Sequence, residues 1–494
     1  MKHLRFHNPD KLKKKFLFSF QCLVVATCVL YLAIASLFSA TIGRADQGDW
    51  IRCFGPYVSK PFGFDKNRPD VSSPQHDDRF FKYWIPFWNI GEEKGADFSK
   101  SSTHLLLAPG FELNKLFFSD NILDIRFISI VSRVVTFTIF MFFLYLFGKY
   151  NRPNAILFVI VGITFIFSDL YYTSYFNTFY QESGSFTYAA LSVCSLFILM
   201  TGHVGLTILT FVLANALLIT AKTQHIGIFV SCVITLIILL SLYKKYSFKV
   251  KLMLFVMSIL ILAGSSVYTF KMSSGSYIMK CNAYHRLFRG VLEVSDKPVQ
   301  ILKCIGLNPD DAKYIGTSPW NTKTVNFFYK NDFPFSDFAA AVYSDPVVIP
   351  RLIYVAFKNM NRIDSMSGFA VREKMNQSIE PPIGFSVLSH VKQQYGPRGW
   401  ILIVVDIVFF IIGTMFLFIK KLIVYALLIY YSLFSHFMEL TVVVFGDGRA
   451  AIDKHLYLAN VLFDYSAIFV LSAVIAYFEY RKTSEADSPF TIGG

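Results

Sequence analysis

The sequence predicts an all-α polytopic membrane protein of about ten transmembrane helices with an extracytoplasmic domain before the last three. Three observations lead there. Of 494 residues, 54% are hydrophobic, 16% are charged and 53 are phenylalanine, a balance outside the range of soluble domains. Apolar windows of about 20 residues, the length at which an α-helix crosses hydrocarbon, recur along the chain. Clusters of lysine and arginine alternate with acidic, aromatic loops between those windows.

The windows lie at 16–40, 127–147, 154–170, 186–201, 204–221, 225–243, 250–271, 399–419, 422–444 and 456–478. Basic groups flank them: Lys11, Lys13, Lys14 and Lys15 before the first, Lys149 and Arg152 after the second, and Lys244, Lys245, Lys249 and Lys251 after the sixth. Lys420 and Lys421 follow the eighth, and Arg481 and Lys482 the last. Placing all of these in the cytoplasm puts both termini inside and leaves 41–126, 171–185, a turn near Lys222 to Gln224, 272–398 and 445–455 outside. The formal charge of +14 thus reports orientation and contact with membrane lipids, and nucleic acid is not a partner. The chain divides into an N-terminal transmembrane module, 1–271, carrying the exterior loop 41–126; an extracytoplasmic domain, 272–398; and C-terminal transmembrane helices with a cytoplasmic tail, 399–494.

The first window exceeds the apolar region of a cleaved signal peptide and lacks a small-x-small cleavage site, so it is expected to be a retained span. Asp46, Asp49, Trp50 and Arg52 follow at once. An acidic pair at a membrane surface is either a capped turn or a reactive group. Pro56, Pro61, Tyr83, Trp84, Pro86, Phe87 and Trp88 suit short interfacial helices lying on the bilayer. Arg126 and Arg133 enter the second span, where snorkelling or an anionic partner is required; snorkelling is the commoner solution.

The stretch from Ser168 to Ser183 places Asp169, Asn177 and Glu182 among Tyr171, Tyr172, Tyr175, Phe176, Phe179 and Tyr180. Tyrosines collect where headgroups meet hydrocarbon, which makes an aromatic belt one reading. A belt does not require the carboxylates and the amide. The other reading is a sugar-handling vestibule, with Tyr172, Tyr175 and Phe179 along one helical side and the carboxylates acting on hydroxyls.

Segment 272–398 opens on a basic, aromatic run, Lys280 to Gly290, containing Tyr284, His285 and Arg289, fit either to hold a lipid phosphate or to anchor at headgroups. Asn308 to Asp311 and Gly316 to Trp320 read as turns, and Ser344 to Lys358 as an amphipathic helix. In the eighth and ninth spans, Asp406, His436 and Glu439 are ionisable; the last two share a helical face and should look onto a polar cavity. The turn Gly446 to His455 brings Asp447, Arg449, Asp453, Lys454 and His455 between two apolar helices. No cysteine spacing suits a metal; Cys281 and Cys304 are a possible disulfide in an oxidising compartment, with Cys53 left odd.

A first span followed by an exterior acidic residue (Asp46, Asp49) and a second acidic site in the next exterior loop (Asp169, Glu182) resembles the GT-C class of membrane glycosyltransferases. More narrowly, Tyr175 to Glu182 together with Gly446 to His455 is similar to bacterial cell-surface glycan hexose transferases. The resemblance implies an integral protein of the bacterial inner membrane. It would move a sugar from a polyprenyl-phosphate donor to a glycan or lipid-linked acceptor on the extracytoplasmic face, with inversion. Asp49 would be the base, with Asp169 and Glu182 as further catalytic carboxylates that position the sugar or acceptor. Arg289, Arg449, Lys454 or His455 would stabilise the leaving phosphate, and Asp46, Arg52, Tyr175, Asn177, Tyr284, His285 and Asp447 would contact substrate. The chain lacks an Asp-x-Asp metal motif in its first exterior segment, so a divalent metal stays open, and no cofactor is called for. It also lacks the Trp-Trp-Asp signature of oligosaccharyltransferases. A glycan polymerase or ligase is the chemically adjacent alternative, and a transporter or flippase of lipid-linked glycans, using Asp406 and Glu439, the distant one.

Overall fold

The computed structural model describes residues 9–40, 42–44, 50–61, 84–92, 98, 100–149, 153–242, 246–272, 276–362, 383–419 and 422–486. Helix α1 (Pro9–Ser39) leads into the segment between the first and second spans. There α2 (Trp50–Phe54), β1 (Val58–Pro61), β2 (Phe87–Ile90), α3 (His104–Phe117) and β3 (Ile122–Asp124) fold together. The strands form an antiparallel sheet in the order β1-β2-β3, with Trp88 opposite Leu123. Trp50, Phe54, Trp88, Phe111, Leu123 and Ile128 bury a core under the sheet. Tyr83 lies outside the described residues; among those of this segment, where interfacial helices are expected, a packed layer of short helices and strands is found. Alternation explains why: Trp88 points inward while its neighbours Phe87 and Asn89 stay half-exposed.

The membrane bundle contains α4 (Ile130–Lys149), α5 (Pro153–Ser168), α6 (Leu170–Thr173), α7 (Glu182–Phe197), α8 (Val204–Ala221), α9 (Ile228–Leu242) and α10 (Phe248–Met272). Among the described residues nine helices are long and apolar enough to span, each coinciding with a predicted window. The remaining window, 154–170, corresponds to a bent pair in which Asn154–Ser168 turns by 50° into Leu170–Asn177. Asp169 sits at that break.

Beyond the bundle, α11 (Ser276–Arg286) passes through a π-helical turn at Leu287–Val291 into α12 (Leu292–Val294). Then come α13 (Pro298–Cys304), a 3-10 turn at Pro309–Tyr314 closed by an Asn308/Asp311 capping box, α14 (Val325–Lys330), α15 (Phe335–Ser344) and α16 (Val348–Asn359). The last is the expected amphipathic helix. Helix α17 (Val387–Tyr395) returns to the bundle, followed by α18 (Trp400–Leu417), α19 (Ile423–Asp447), α20 (Ile452–His455) and α21 (Tyr457–Ala486). Helix α19 is central, packing on α21, α18 and α9. Tyr284, Phe288, Phe328 and Leu352 of the segment between α10 and α18 share one core with Leu402, Leu440 and Val444 of the bundle, so the two are packed as one body. Cys281, buried, and Cys304, exposed, are both free thiols.

Candidate functional site

Where the segments flanking the spans meet the bundle they enclose a cavity of about 900 Å³. Its polar wall is assembled from distant parts of the chain: Arg52 of α2, Gln181 before α7, Lys222 and Gln224 between α8 and α9, Lys280 and Arg286 of α11, Asp332, Asp447 ending α19, and His455 ending α20. Phe270, Met272, Ile278 and Met279 supply an apolar side. Helix α10 delivers the first two, and that helix is mostly exposed along its length, as a lipid-facing span is.

Asp447 is the hinge of the polar wall. Its Oδ1 lies 2.7 Å from His285 Nδ1 and its Oδ2 3.1 Å from His455 Nε2. Gln224 extends this contact inward, its Nε2 donating to the His455 carbonyl at 2.6 Å and to Glu439 Oε2 at 2.9 Å. The other Glu439 oxygen faces His225 Nδ1 at 2.9 Å, and His225 Nε2 meets Ser185 Oγ at 2.6 Å. A chain of polar contacts thus runs from the cavity into the bundle. Burial pushes His455 below its ordinary value; Lys222 and Lys454 act in the same direction, and Asp447 opposes them.

The turn after Asp447 is held by backbone. Gly448 adopts φ +59, and a Cβ there would sit 2.7 Å from the His285 carbonyl oxygen. Arg449 N donates to the Arg289 carbonyl at 2.8 Å, while its side chain pairs with Glu293 at 2.5 Å. The π-helical turn carrying Arg289 and Gly290 packs directly on this loop, the kind of helix irregularity that recurs at functional sites.

Glu182 is buried and paired with Lys222 at 2.8 Å, so it stands behind the cavity wall through the lysine that lines it. Lys454 lies 3.9 Å over the Tyr180 ring. Arg286 is the cation that sequence reasoning passed over. Its guanidinium lies against Phe335 and Phe338, 5.1 and 5.4 Å from their centroids, and among the described residues no carboxylate lies within ion-pair distance. Burial lowers its pKa, with Asp337 opposing from farther off. The signal was present, since Arg286 belongs to the Lys280 to Gly290 run. Lys222 and Gln224 carried no motif, and only folding brings them here.

Other expected site residues lie elsewhere. Asp46 and Asp49 fall outside the described residues; Arg52, three positions after Asp49, lines the cavity. Asp169 is buried as the N-cap of α6, where Oδ1 accepts from Tyr171 N at 2.9 Å and Ser389 Oγ at 2.7 Å, and Oδ2 from Ser389 N at 2.9 Å. Asn177 ties α1 to the bundle by donating to the Ser39 and Ile42 carbonyls at 2.7 and 2.6 Å. Tyr175 is buried beneath Arg44, 4.4 Å from its ring, and Tyr284 is fully buried with its hydroxyl 3.0 Å from Thr317 Oγ1. Tyr172 and Phe179 are buried as well. The aromatic stretch is thus core, neither belt nor vestibule, and only Gln181 of it reaches the cavity.

Arg133 does not snorkel: it donates to Ser129, Ser36 and Ser39 and, at 3.3 Å, to Asn177 Oδ1. Arg126 pairs with Asp124. Glu439 and His436, expected to face a polar cavity, are sealed between helices; His436 meets the Ala459 carbonyl at 2.9 Å and Asp406 at 3.4 Å. Among the described residues no group of three or more His, Cys, Asp or Glu is arranged to hold a metal ion.

No curated protein and no solved structure matches the chain. The YfdI N-terminal transmembrane domain family matches residues 7–489, covering the bundle, the segments packed on it and every wall of the cavity. By that match the chain belongs to the YfdI N-terminal transmembrane domain family.

Proposed function

We propose that this protein is a membrane glycosyltransferase that moves a hexose from a polyprenyl-phosphate carrier to a glycan or lipid-linked acceptor on the extracytoplasmic face. Family membership supports a glycosyltransferase-like membrane role. The observation that carries the finer reading is the cavity's two-sided lining, cations Arg52, Lys222, Lys280 and Arg286 beside apolar Phe270, Met272, Ile278 and Met279. Such a lining suits an anionic headgroup joined to a hydrocarbon chain.

In this reading the acceptor hydroxyl oxygen attacks the anomeric carbon while a carboxylate, Asp49, takes its proton. The bond from that carbon to the phosphate oxygen breaks, and the lipid phosphate leaves with the electron pair, stabilised by Arg286. Arg52 lining the cavity supports Asp49 as the base, because the two are three residues apart. The Asp447–His455 contact shapes the opposite wall.

The test is sugar transfer by purified protein from a polyprenyl-phosphate hexose to a membrane glycan fraction. Asp49→Asn should lower turnover by about 10²–10⁴-fold with unchanged folding. Near-normal turnover by that variant removes Asp49 from the role, and wild-type protein that neither transfers nor hydrolyses the donor overturns the transferase reading.

A further inference from the structure

Three exposed aromatic rings lie beside the cavity on the segment between α10 and α18: Trp320, 42% exposed, Tyr329, 60%, and Tyr277, 38%. They are joined to one another. Trp320 Nε1 donates to the Tyr277 hydroxyl at 3.0 Å, and the Tyr277 and Tyr329 rings are 6.4 Å apart at 30°. Beneath them Phe328, buried, meets Tyr277 and Tyr329 at 6.0 and 5.4 Å, and His285 meets Trp320 at 5.4 Å.

The support is rigid. Trp320 rides on a turn pinned by Tyr284 and Thr324, both bonded to Thr317 Oγ1 at 3.0 Å. Lys280 holds the other side, donating to the Tyr329 carbonyl at 3.3 Å and pairing with Asp332 at 2.9 Å. Lys280 and Asp332 both line the cavity, so the rings continue its rim outward. Asp332 is 90% exposed in its side chain, an acceptor next to the rings.

We propose that Trp320, Tyr277 and Tyr329 form a stacking platform for a hexose ring of a glycan at the mouth of the cavity. The C–H face of a pyranose is apolar and packs on an aromatic face, while its hydroxyls need hydrogen-bond partners at the edge. Pre-ordered rings lose little entropy on binding. An aromatic belt is the competing use of such residues, but a belt tryptophan directs its N–H to the headgroup region, and here that N–H is taken by Tyr277. The choice of a glycan as ligand rests on the transferase reading. The platform would hold the acceptor side, outside the cavity.

The experiment uses full-length protein in lipid nanodiscs, with no sugar donor, applied to an array of bacterial cell-surface oligosaccharides. Capture of one or more glycans by the wild type is expected, with Trp320→Ala weakening capture by about tenfold. Trp320→Phe should retain most of it, and Trp400→Ala, at an exposed tryptophan elsewhere, all of it. In protein carrying 5-fluorotryptophan, the captured glycan in soluble form should shift the fluorine resonance that Trp320→Phe removes. No capture by the wild type, equal capture by Trp320→Ala, or broadening of that resonance by headgroup spin-labelled lipid without a glycan shift would overturn the platform; the last would assign the rings to the membrane surface. Because capture is measured without donor, it is read apart from the transfer assay: a protein that captures glycan but neither transfers nor hydrolyses the donor in that assay would remove the transferase reading and leave this one, and transfer there with undiminished capture by Trp320→Ala would do the reverse.

Discussion

At the scale of single residues, Gly448 shows how the loop after α19 is built. Its φ of +59 and ψ of −126 belong to a region that side-chain-bearing residues avoid, and the space a Cβ needs is filled by the His285 and Arg289 backbone. Gly448→Ala should cost about 1–3 kcal/mol from backbone strain alone. A thermal-shift measurement in detergent should show a lowered Tm, and an unchanged Tm would mean that the loop can rearrange freely. His455 gives a pH signature. Its pKa is lowered in the folded protein, so as pH falls below 6.5 the unfolded chain takes up the proton first. Stability contributed by the neutral, buried ring is therefore complete above that pH and lost on acidification. Thermal stability followed from pH 8 to pH 5 should decline more steeply in the wild type than in His455→Gln. Parallel curves would assign the acid sensitivity to other groups.

At the scale of elements, carboxylates that resemble catalytic groups in the sequence act as fasteners. Asp169 caps α6 and holds α17 through Ser389, while Lys392 of α17 pairs with Asp464 of α21 at 2.7 Å and bonds the Tyr172 hydroxyl at 2.9 Å. Helix α17 has only nine residues, too short to persist without such contacts. Asp169→Ala removes the cap and leaves the Ser389 N–H and hydroxyl unpaired in a buried place, a loss of about 1–3 kcal/mol. Hydrogen exchange should accelerate across Val387–Tyr395 while the core of α19 stays protected. Unchanged exchange there would show that the helix is held by its other contacts. The misreading of this stretch has a physical source: Asp, Asn and Tyr serve a membrane boundary and a buried polar joint equally well, and their partners, Ser389, Ser39 and Ile42, lie far away in sequence.

At the scale of the whole molecule, the spans were legible because hydrocarbon thickness imposes a length that composition alone reveals. The small sheet was not, since strands of three and four residues carry too little periodicity to separate from interfacial helices. The candidate site was legible in part. Arg52, Asp447 and His455 were singled out by their place beside spans, and the cavity gathers them. Arg286 and Lys222 required the fold. Arg286 also offers the sharpest test of the proposed chemistry, because a desolvated guanidinium against two phenyl rings, with no carboxylate at ion-pair distance among the described residues, is organised for an anion from outside the chain. Arg286→Ala should reduce sugar transfer by about 10–10²-fold, the worth of one charged hydrogen bond. Arg286→Lys should recover only part, since a point charge lacks the planar fork. If the phosphate is bound equally in donor and transition state, the loss will appear in KM; if its charge grows as the glycosidic bond breaks, the loss will appear in kcat. Full activity in Arg286→Ala would move the phosphate to Lys222 and Lys280, the remaining described lysines of the wall.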